Sequence, residues 1–366
     1  MASGDGKKLL FLTRHEWLGA STRYRSVQFF PLLEELGFSV MQRPLFSDCY
    51  LKQRISGRRP LALIACRLAN RLLTIRRDLK EADAVIIEKE LFPFLPAISE
   101  RLAHKKGVPL IYDFDDAIWH AYERQYAGPY GPILANKIAR IIRRADHIVV
   151  GSHYLEKQIQ DWGAAPVSLF PTTVPQASYY GQGRDTKKTT AIVWIGSMST
   201  GRYLLPVFPV FARLAAETGA RVRAIGFSRQ LLTGTVPDWL DIEPWHPDTE
   251  IDLMASGNIG IMPIPDEPFE RGKCGFKLVQ YMGLGLPIVA SPVGENRFIL
   301  QDGKTGLLAD SNDEWYRAIK TLLNNPVAAA NMGRLGHDVF LSRYSTEQVA
   351  KHWAALLSAL INKARR

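Results

Sequence analysis

Apolar and polar positions follow one another along this chain in two kinds of block. Short, nearly continuous apolar runs at Lys7–Thr13 (KKLLFLT), Phe38–Gln42, Ala84–Glu88 (AVIIE), Pro109–Tyr112 and His147–Gly151 predict strands. Segments of helical spacing separate them, such as the stripe Val27, Phe30, Leu33 and Leu36 that stops at Gly37. Strands without an alternating polar face belong in parallel sheets covered on both sides. A second series follows at Ala191–Ile195 (AIVWI), Arg221–Ile225, Ile259–Met262 and Pro287–Ala290, and GQGRDTKKTT, Gly181–Thr190, reads as the linker between the two series. The expectation is an α/β chain of two Rossmann-like domains, 1–185 and 186–344, facing across a cleft with ligands beyond the C-terminal strand ends. Ser345 and Gln348 have capping-box spacing, and Val349, Trp353, Leu356, Leu357 and Leu360 form an apolar stripe. They predict a helix within 345–366 that crosses back to the first domain.

A length of 366 residues suits two cores, and an apolar fraction of 46% with 22% charged residues describes a globular protein. No apolar stretch approaches a bilayer span and the first residues are too short for a signal-peptide core, so a cytoplasmic protein is expected. Cys49, Cys66 and Cys274 are scattered and odd in number, which gives neither a disulfide framework nor a metal pair. The net charge of +10 favours a polyanionic partner: nucleic acid, an anionic membrane or a phosphorylated small molecule. Within 51–80 nine cations stand against one Asp, interleaved with Leu61, Ile64, Leu68, Leu72, Ile75 and Leu79. Such a basic amphipathic helix either rests on anionic lipid, such as the inner face of a membrane, or packs on the core with a solvated basic face. No nucleic-acid motif accompanies it, and a nucleic-acid partner is not expected.

Two stretches carry candidate chemistry. In KCGFKLVQYMGLGLPIVAS a helix over Phe276–Leu284 begins near Gly275, and its N-terminus with Lys273 and Lys277 makes a phosphate site. The plainer alternative is a glycine cap with solvated lysines. In PLIYDFDDAIW, Asp113, Asp115 and Asp116 directly follow a strand, where carboxylates can orient hydroxyls, act as a base or stabilise a developing positive charge. Alternatively Asp113 caps the next helix. Glu88 and Glu90 leave the preceding strand and either face the same space or pair with basic neighbours. The D-x-D pair also admits a second reading as a magnesium site for phosphoryl or sugar transfer, and the basic stretch a third, as a nucleic-acid-binding module.

The segment FKLVQYMGLGLPIVASPVGENRFILQDGKTGLLAD resembles the donor-binding segment of family 4 glycosyltransferases of the GT-B fold. Their usual pattern is a helix ending in E-A-M-A or E-Y-M-A, then x-G-x-P-V-V-A-S, a glycine turn and D-G-x-T-G-L-L. The loop GASTRYR, with Gly19 and Arg23 on the acceptor side, and the stretch IVVGSHYL match more weakly. The resemblance implies a nucleotide-sugar donor as co-substrate, a glycan or lipid-linked acceptor, retention of anomeric configuration, and neither a metal nor another cofactor. It places the ribose-holding residue at Gln280 and the first glutamate of an E-x7-E motif at Gly272, both departures from the family pattern; Glu270, Lys273 or backbone amides then become the substitute. Lys277 matches family members with a lysine before Y-M-A. Gly196 and Ser197 fall on the glycine turn after the first strand of the donor domain, Arg202 on the diphosphate cation, and Gly294, Glu295 and Asn296 on a turn beside the diphosphate or sugar. His120 falls near the histidine that the family often carries close to the carboxylate turn.

Overall fold

The computed structural model describes residues 6–55, 60–93, 95–125, 130–163, 165–179 and 191–366. The chain forms two compact units. The first comprises 1–172, 272–274 and 346–366, and the second 173–271 and 275–345. The second therefore starts before the expected border at 185/186. The physical reason is that Val174 bridges to Ser345, and Tyr179 accepts a hydrogen bond from Gln280, so 173–179 pack with the second core. The expected linker at 181–190 lies outside the described residues.

In the first unit β1 (Lys7–Leu12), β2 (Phe38–Gln42), β3 (Ala84–Glu88), β4 (Leu110–Phe114), β5 (His147–Val150) and β6 (Val167–Leu169) form a parallel sheet of order β2-β1-β3-β4-β5-β6. β3, β4 and β5 are buried throughout, which is why they read as unbroken apolar runs. Between the strands come α1 (Ala20–Arg25), α2 (Phe30–Glu35), α3 (Asp48–Ile55), α4 (Leu61–Lys80), α5 (Ile118–Gln125), α6 (Tyr130–Ile142) and α7 (His153–Asp161). The basic stretch is thus two helices. Pro60 stands at the N-cap of α4, where its missing N–H costs nothing.

In the second unit β7 (Ala191–Ile195), β8 (Arg221–Ile225), β9 (Leu240–Glu243), β10 (Ile259–Met262), β11 (Ile288–Ala290) and β12 (Leu307–Leu308) form a parallel sheet of order β12-β11-β10-β7-β8-β9. This is the strand order of a Rossmann domain, with its switch point between β7 and β10. Its helices are α8 (Gln176–Tyr179), α9 (Phe208–Thr218), α10 (Glu250–Ala255), α11 (Pro268–Arg271), α12 (Phe276–Gly283), α13 (Asn296–Ile299), α14 (Asn312–Asn324) and α15 (Pro326–Arg343). Tyr281 of α12 ties the switch point together: its hydroxyl accepts from Ile195 N (3.2 Å) and donates to the Ile261 carbonyl (3.2 Å).

The final helix, α16 (Thr346–Ala364), belongs to the first unit, as its apolar stripe predicts. Val349, Trp353, Leu357 and Ile361 are buried with Leu9, Phe11, Phe29 and Leu33, and the Trp353 ring meets Phe170 edge-on at 5.1 Å. Each of these four side chains contributes roughly 1.5–3 kcal/mol of burial.

Candidate functional site

The first sheet reverses its winding between β1 and β3, and the loops leaving β1, β3 and β4 carry a polar cluster at that point. Its centre is Lys89, absent from the residues singled out by sequence. Lys89 has φ 63°, the one non-glycine residue in the left-handed region among the described residues. Such a conformation costs about 1–3 kcal/mol and persists only where its surroundings enforce it. Here the Lys89 N–H donates to the Asp113 carbonyl (2.8 Å), and its ammonium lies 2.8 Å from Asp115 and 3.1 Å from Asp116 and donates to Ser21 Oγ (3.3 Å). Burial alone would lower the Lys89 pKa; Asp115, Asp116 and Glu88 outweigh it and hold the ammonium far above the ordinary lysine value. Burial would likewise raise Asp116, but Lys89, then Lys273 and Arg14, bring it below the usual carboxylate range. Asp116 is the more accessible of the two carboxylates, its side chain 27% exposed against 13% for Asp115.

The other sequence candidates in this unit separate into structural and accessible groups. β4 runs through Asp113, so this residue is neither a helix cap nor open to an acceptor: it is buried against Arg25, which donates to it through Nε (3.0 Å) and Nη2. Glu90 is likewise withdrawn, paired with Lys137 at 2.8 Å and accepting from the Tyr122 hydroxyl. Glu88 accepts from Thr22 Oγ1 (2.6 Å) and Arg14 N (2.9 Å), and burial pushes its carboxyl up. His120 has both ring nitrogens engaged, Nδ1 with Glu123 (3.0 Å) and Nε2 with the Tyr154 hydroxyl (2.8 Å), which removes it from the role of an open base. Gly19 is the N-cap of α1, and Arg23 lies buried over the rings of Tyr24 and Trp17.

Lys273, grouped with the donor residues by sequence, belongs with Gly272 and Cys274 to the first unit, where the Cys274 thiol donates to the Asp115 carbonyl at 2.8 Å. Gly272 explains the lost glutamate sterically. A Cβ there would stand 2.6 Å from the Ala117 Cβ and 3.1 Å from its backbone nitrogen, too close for any side chain.

His15, beside this cluster, carries no signal in the sequence that would single it out. Burial, then the charges of Arg14 and Lys89, lower its pKa from 6.5 to about 4. Between those values the unfolded chain binds a proton that the folded one refuses, so stability falls as pH drops from 6.5 towards 4. Denaturant titrations at pH 7 and pH 4.5 should therefore show a smaller loss of stability in His15→Phe than in wild type, by up to roughly 3 kcal/mol. Equal losses in both proteins would contradict this assignment.

The second unit gathers its candidates at the ends of β7, β10 and β11. Ser197 and Thr200 close the turn after β7, with Ser197 N donating to Thr200 Oγ1 at 3.0 Å. Gly196 is required there, since a Cβ would lie 2.3 Å from the Trp194 ring. Gly275 caps α12 with φ 61°, and no side chain caps the helix. Lys277, in the first turn of α12, places its ammonium 5.5 Å from the Trp194 ring centre. Arg202, in the short 3-10 segment Gly201–Val207, lies over the Tyr203 ring at 5.2 Å. Tyr203 in turn donates its hydroxyl to Glu270 at 2.5 Å. Glu270 is fully buried, so it braces Tyr203 and Arg202 instead of meeting a sugar. Gln280 is also buried, and its amide donates to Tyr179 at 3.1 Å; it holds a hydroxyl of the protein's own. Gly294 lies in the loop before α13, Glu295 is buried at the α13 N-cap, and Asn296 donates to the Ser291 carbonyl at 3.0 Å. These three shape the loop.

Residues 189–325 match the sequence model of the family described as glycosyl transferases group 1. Among curated proteins, the chain is 29% identical over 100 residues to the D-inositol 3-phosphate glycosyltransferase of Arthrobacter sp. (strain FB24), covering 26% of this chain and 23% of that protein. It is 24% identical over 136 residues to the Thermobispora bispora protein of the same name, covering 36% and 30%. The matches thus span about a quarter to a third of those relatives. The fold is similar along nearly its whole length to sucrose-phosphate synthase from Thermosynechococcus elongatus (TM-score 0.72, 15% identity, 98% of this chain and 100% of that one). It is also similar to Anabaena HepE, solved in complex with UDP and glucose (TM-score 0.65, 16% identity, 96% and 100%). The two Rossmann-like units are those of the GT-B fold.

Proposed function

With residues 189–325 in the group 1 glycosyl transferases and the chain on the GT-B fold, we propose that this protein moves a sugar from a nucleotide-sugar donor to an acceptor hydroxyl. One observation carries the reading. At the switch point of the second sheet, a glycine-tight turn, the N-terminus of α12 with Lys277, and Arg202 braced from beneath by Tyr203 and Glu270 stand together. Positive charge and a helix N-terminus stabilise the negative charge that develops on a departing diphosphate. In this reading they do what a divalent ion does in other transferases, and transfer needs no metal. HepE, solved with UDP, supports a nucleotide diphosphate as the leaving group.

On the acceptor side, Asp116 is ionised and partly open, and it accepts a hydrogen bond from an acceptor or donor hydroxyl. Lys89 holds it in place. The same ion pairs weigh against the D-x-D magnesium reading, because Asp113 is taken by Arg25 and Asp115 by Lys89. Transfer with retention follows if the acceptor hydroxyl attacks from the same face that the diphosphate leaves, its proton passing to the departing phosphate oxygen. Incubating the protein in EDTA with UDP-, GDP- and ADP-sugars, and following nucleotide release by chromatography and the anomeric proton by NMR, tests all three elements. EDTA-resistant release with a retained anomer supports the reading; inversion would remove the retaining mechanism, and metal-dependent release the cationic one.

The acceptor in this reading is lipid-linked, in glycan or glycolipid assembly at an anionic membrane. Among the described residues no helix is long and apolar enough to cross a membrane. The outward face of α4 nonetheless exposes Leu61 (72%), Leu72 (41%) and Leu73 (82%) beside Arg76, Arg77 and Lys80. Leu73→Glu should reduce co-sedimentation with anionic vesicles at low salt several-fold; unchanged recruitment would direct attention to a soluble acceptor.

A further inference from the structure

α4 buries Ile75 and Leu79 in the core with Leu68 packed against it, but a polar stripe flanks that inward face while Leu61, Leu72 and Leu73 are exposed. Arg67, Asn70, Arg71, Thr74 and Asp78, at three- and four-residue spacing, line a cavity of about 50 Å³ between α4 and the exits of β1 and β2, where Arg43 completes the wall. On this measure about 10–15 Å³ holds one water, so the space admits a compact group of several heavy atoms. The stripe is only partly consumed by internal pairing. Arg67, Asn70 and Thr74 make no side-chain hydrogen bond or ion pair among the described residues. Arg71, 6% exposed, donates to the carbonyls of Thr13 (3.2 Å) and Arg43 (2.6 Å) and has no carboxylate within ion-pair reach among the described residues. Asp78, the lining carboxylate, is shared by Arg43 at 3.3 Å and Arg77 at 3.8 Å.

The guanidiniums of Arg43, Arg67 and Arg71 therefore line a confined space together with one carboxylate. Burial drives the Arg71 pKa down to about 10 against the pull of Glu88, Glu100 and Asp78. Planar guanidiniums and a hydroxyl suit a tetrahedral oxyanion. We propose that this cavity is a phosphoryl-binding site, taking the phosphate of a phosphomonoester through Arg67, Arg71 and Thr74. The inference stands independently of nucleotide-sugar binding in the second unit. The phosphate comes from a soluble metabolite or from a lipid headgroup, and the two sources are separated by experiment.

The test is calorimetric titration of the full chain with inorganic phosphate and glycerol 1-phosphate, alongside flotation on phosphatidylcholine vesicles with and without phosphatidic acid. Arg67→Gln should weaken binding about tenfold and Thr74→Val about threefold, as loss of one charged and one neutral hydrogen bond. Arg140→Gln, the same charge change at an exposed arginine of α6, should alter it less than about twofold. Soluble phosphates that bind and lose affinity in Arg67→Gln assign the site to a free phosphorylated ligand. Binding seen only with phosphatidic acid, lost in Arg67→Gln and kept in Arg140→Gln, assigns it to a lipid headgroup. No binding to either probe, or equal losses in Arg67→Gln and Arg140→Gln, would overturn the proposal. Should Arg67→Gln fail to fold, Thr74→Val against Arg140→Gln makes the same comparison.

Discussion

Lys277→Met is expected to weaken donor nucleotide binding at least about tenfold and to slow transfer at saturating donor by roughly a hundredfold. The substitution keeps an unbranched apolar stem that can remain over Trp194, so packing changes little, while the ammonium is lost from the first turn of α12. A charge-assisted hydrogen bond to a diphosphate contributes to ground-state binding, and more as the leaving group gains charge. The larger effect should therefore appear in kcat and the smaller in Kd. Initial rates and calorimetry on the same preparation separate the two. A variant with raised KM and unchanged kcat would show that Lys277 binds the donor without stabilising its departure.

The second large effect is on stability. Lys89→Met removes the cation shared by Asp115 and Asp116, leaving two neighbouring carboxylates without it, and should cost about 3–5 kcal/mol. The pH dependence should change sign as well. In wild type the Asp116 pKa is depressed, so its contribution is present above the unfolded carboxylate value and is lost as pH falls through the folded one. Without Lys89 the two carboxylates repel, at least one pKa rises above its unfolded value, and acidification relieves the variant. Lys89→Gly should be less damaging by about 1 kcal/mol, because glycine adopts φ 63° without strain. Denaturant midpoints from pH 4 to pH 8 on the three proteins distinguish these effects. A Lys89→Met protein that loses stability on acidification as wild type does would contradict the ion-pair account.

Much of the fold is legible in the residues because buried parallel strands leave a simple trace. AVIIE, HIVV and AIVWI each form a strand within a residue of the expected bounds, and the helix after Gly275 appears as Phe276–Gly283. The short edge strands β6, β9 and β12 leave no such trace, since partly exposed edges lack the continuous apolar run. In α4 the spacing of Leu61, Ile64, Leu68, Leu72, Ile75 and Leu79 suggests one buried face, yet Leu61 and Leu72 are exposed while Arg71 and Asp78 are buried. Periodicity identifies a helix but not which face the rest of the chain can satisfy, and here main-chain carbonyls accept the arginine.

Side-chain roles are harder to read for a similar reason. Asp113, Asp115 and Asp116 are alike in sequence, and only the extension of β4 through Asp113 turns that carboxylate inward to Arg25. Lys89 carries one local signal, a lysine between two glutamates at a strand end, but its importance arises from the left-handed turn that sends it towards the next strand's loop. Gly272 can be read as a departure from the family pattern; that Ala117 leaves no room for a side chain is visible only in three dimensions.

The central claim is that the second unit binds a nucleotide diphosphate through Lys277 and Arg202 without a metal. The most direct measurement is calorimetric titration of the full chain, in EDTA, with UDP, GDP, ADP and CMP and their sugar conjugates, repeated on Lys277→Met. The predicted result is saturable binding of one nucleotide diphosphate class and its conjugate, weakened about tenfold or more in the variant. Binding of none of them, or binding that appears only with added magnesium and is indifferent to Lys277, would contradict it.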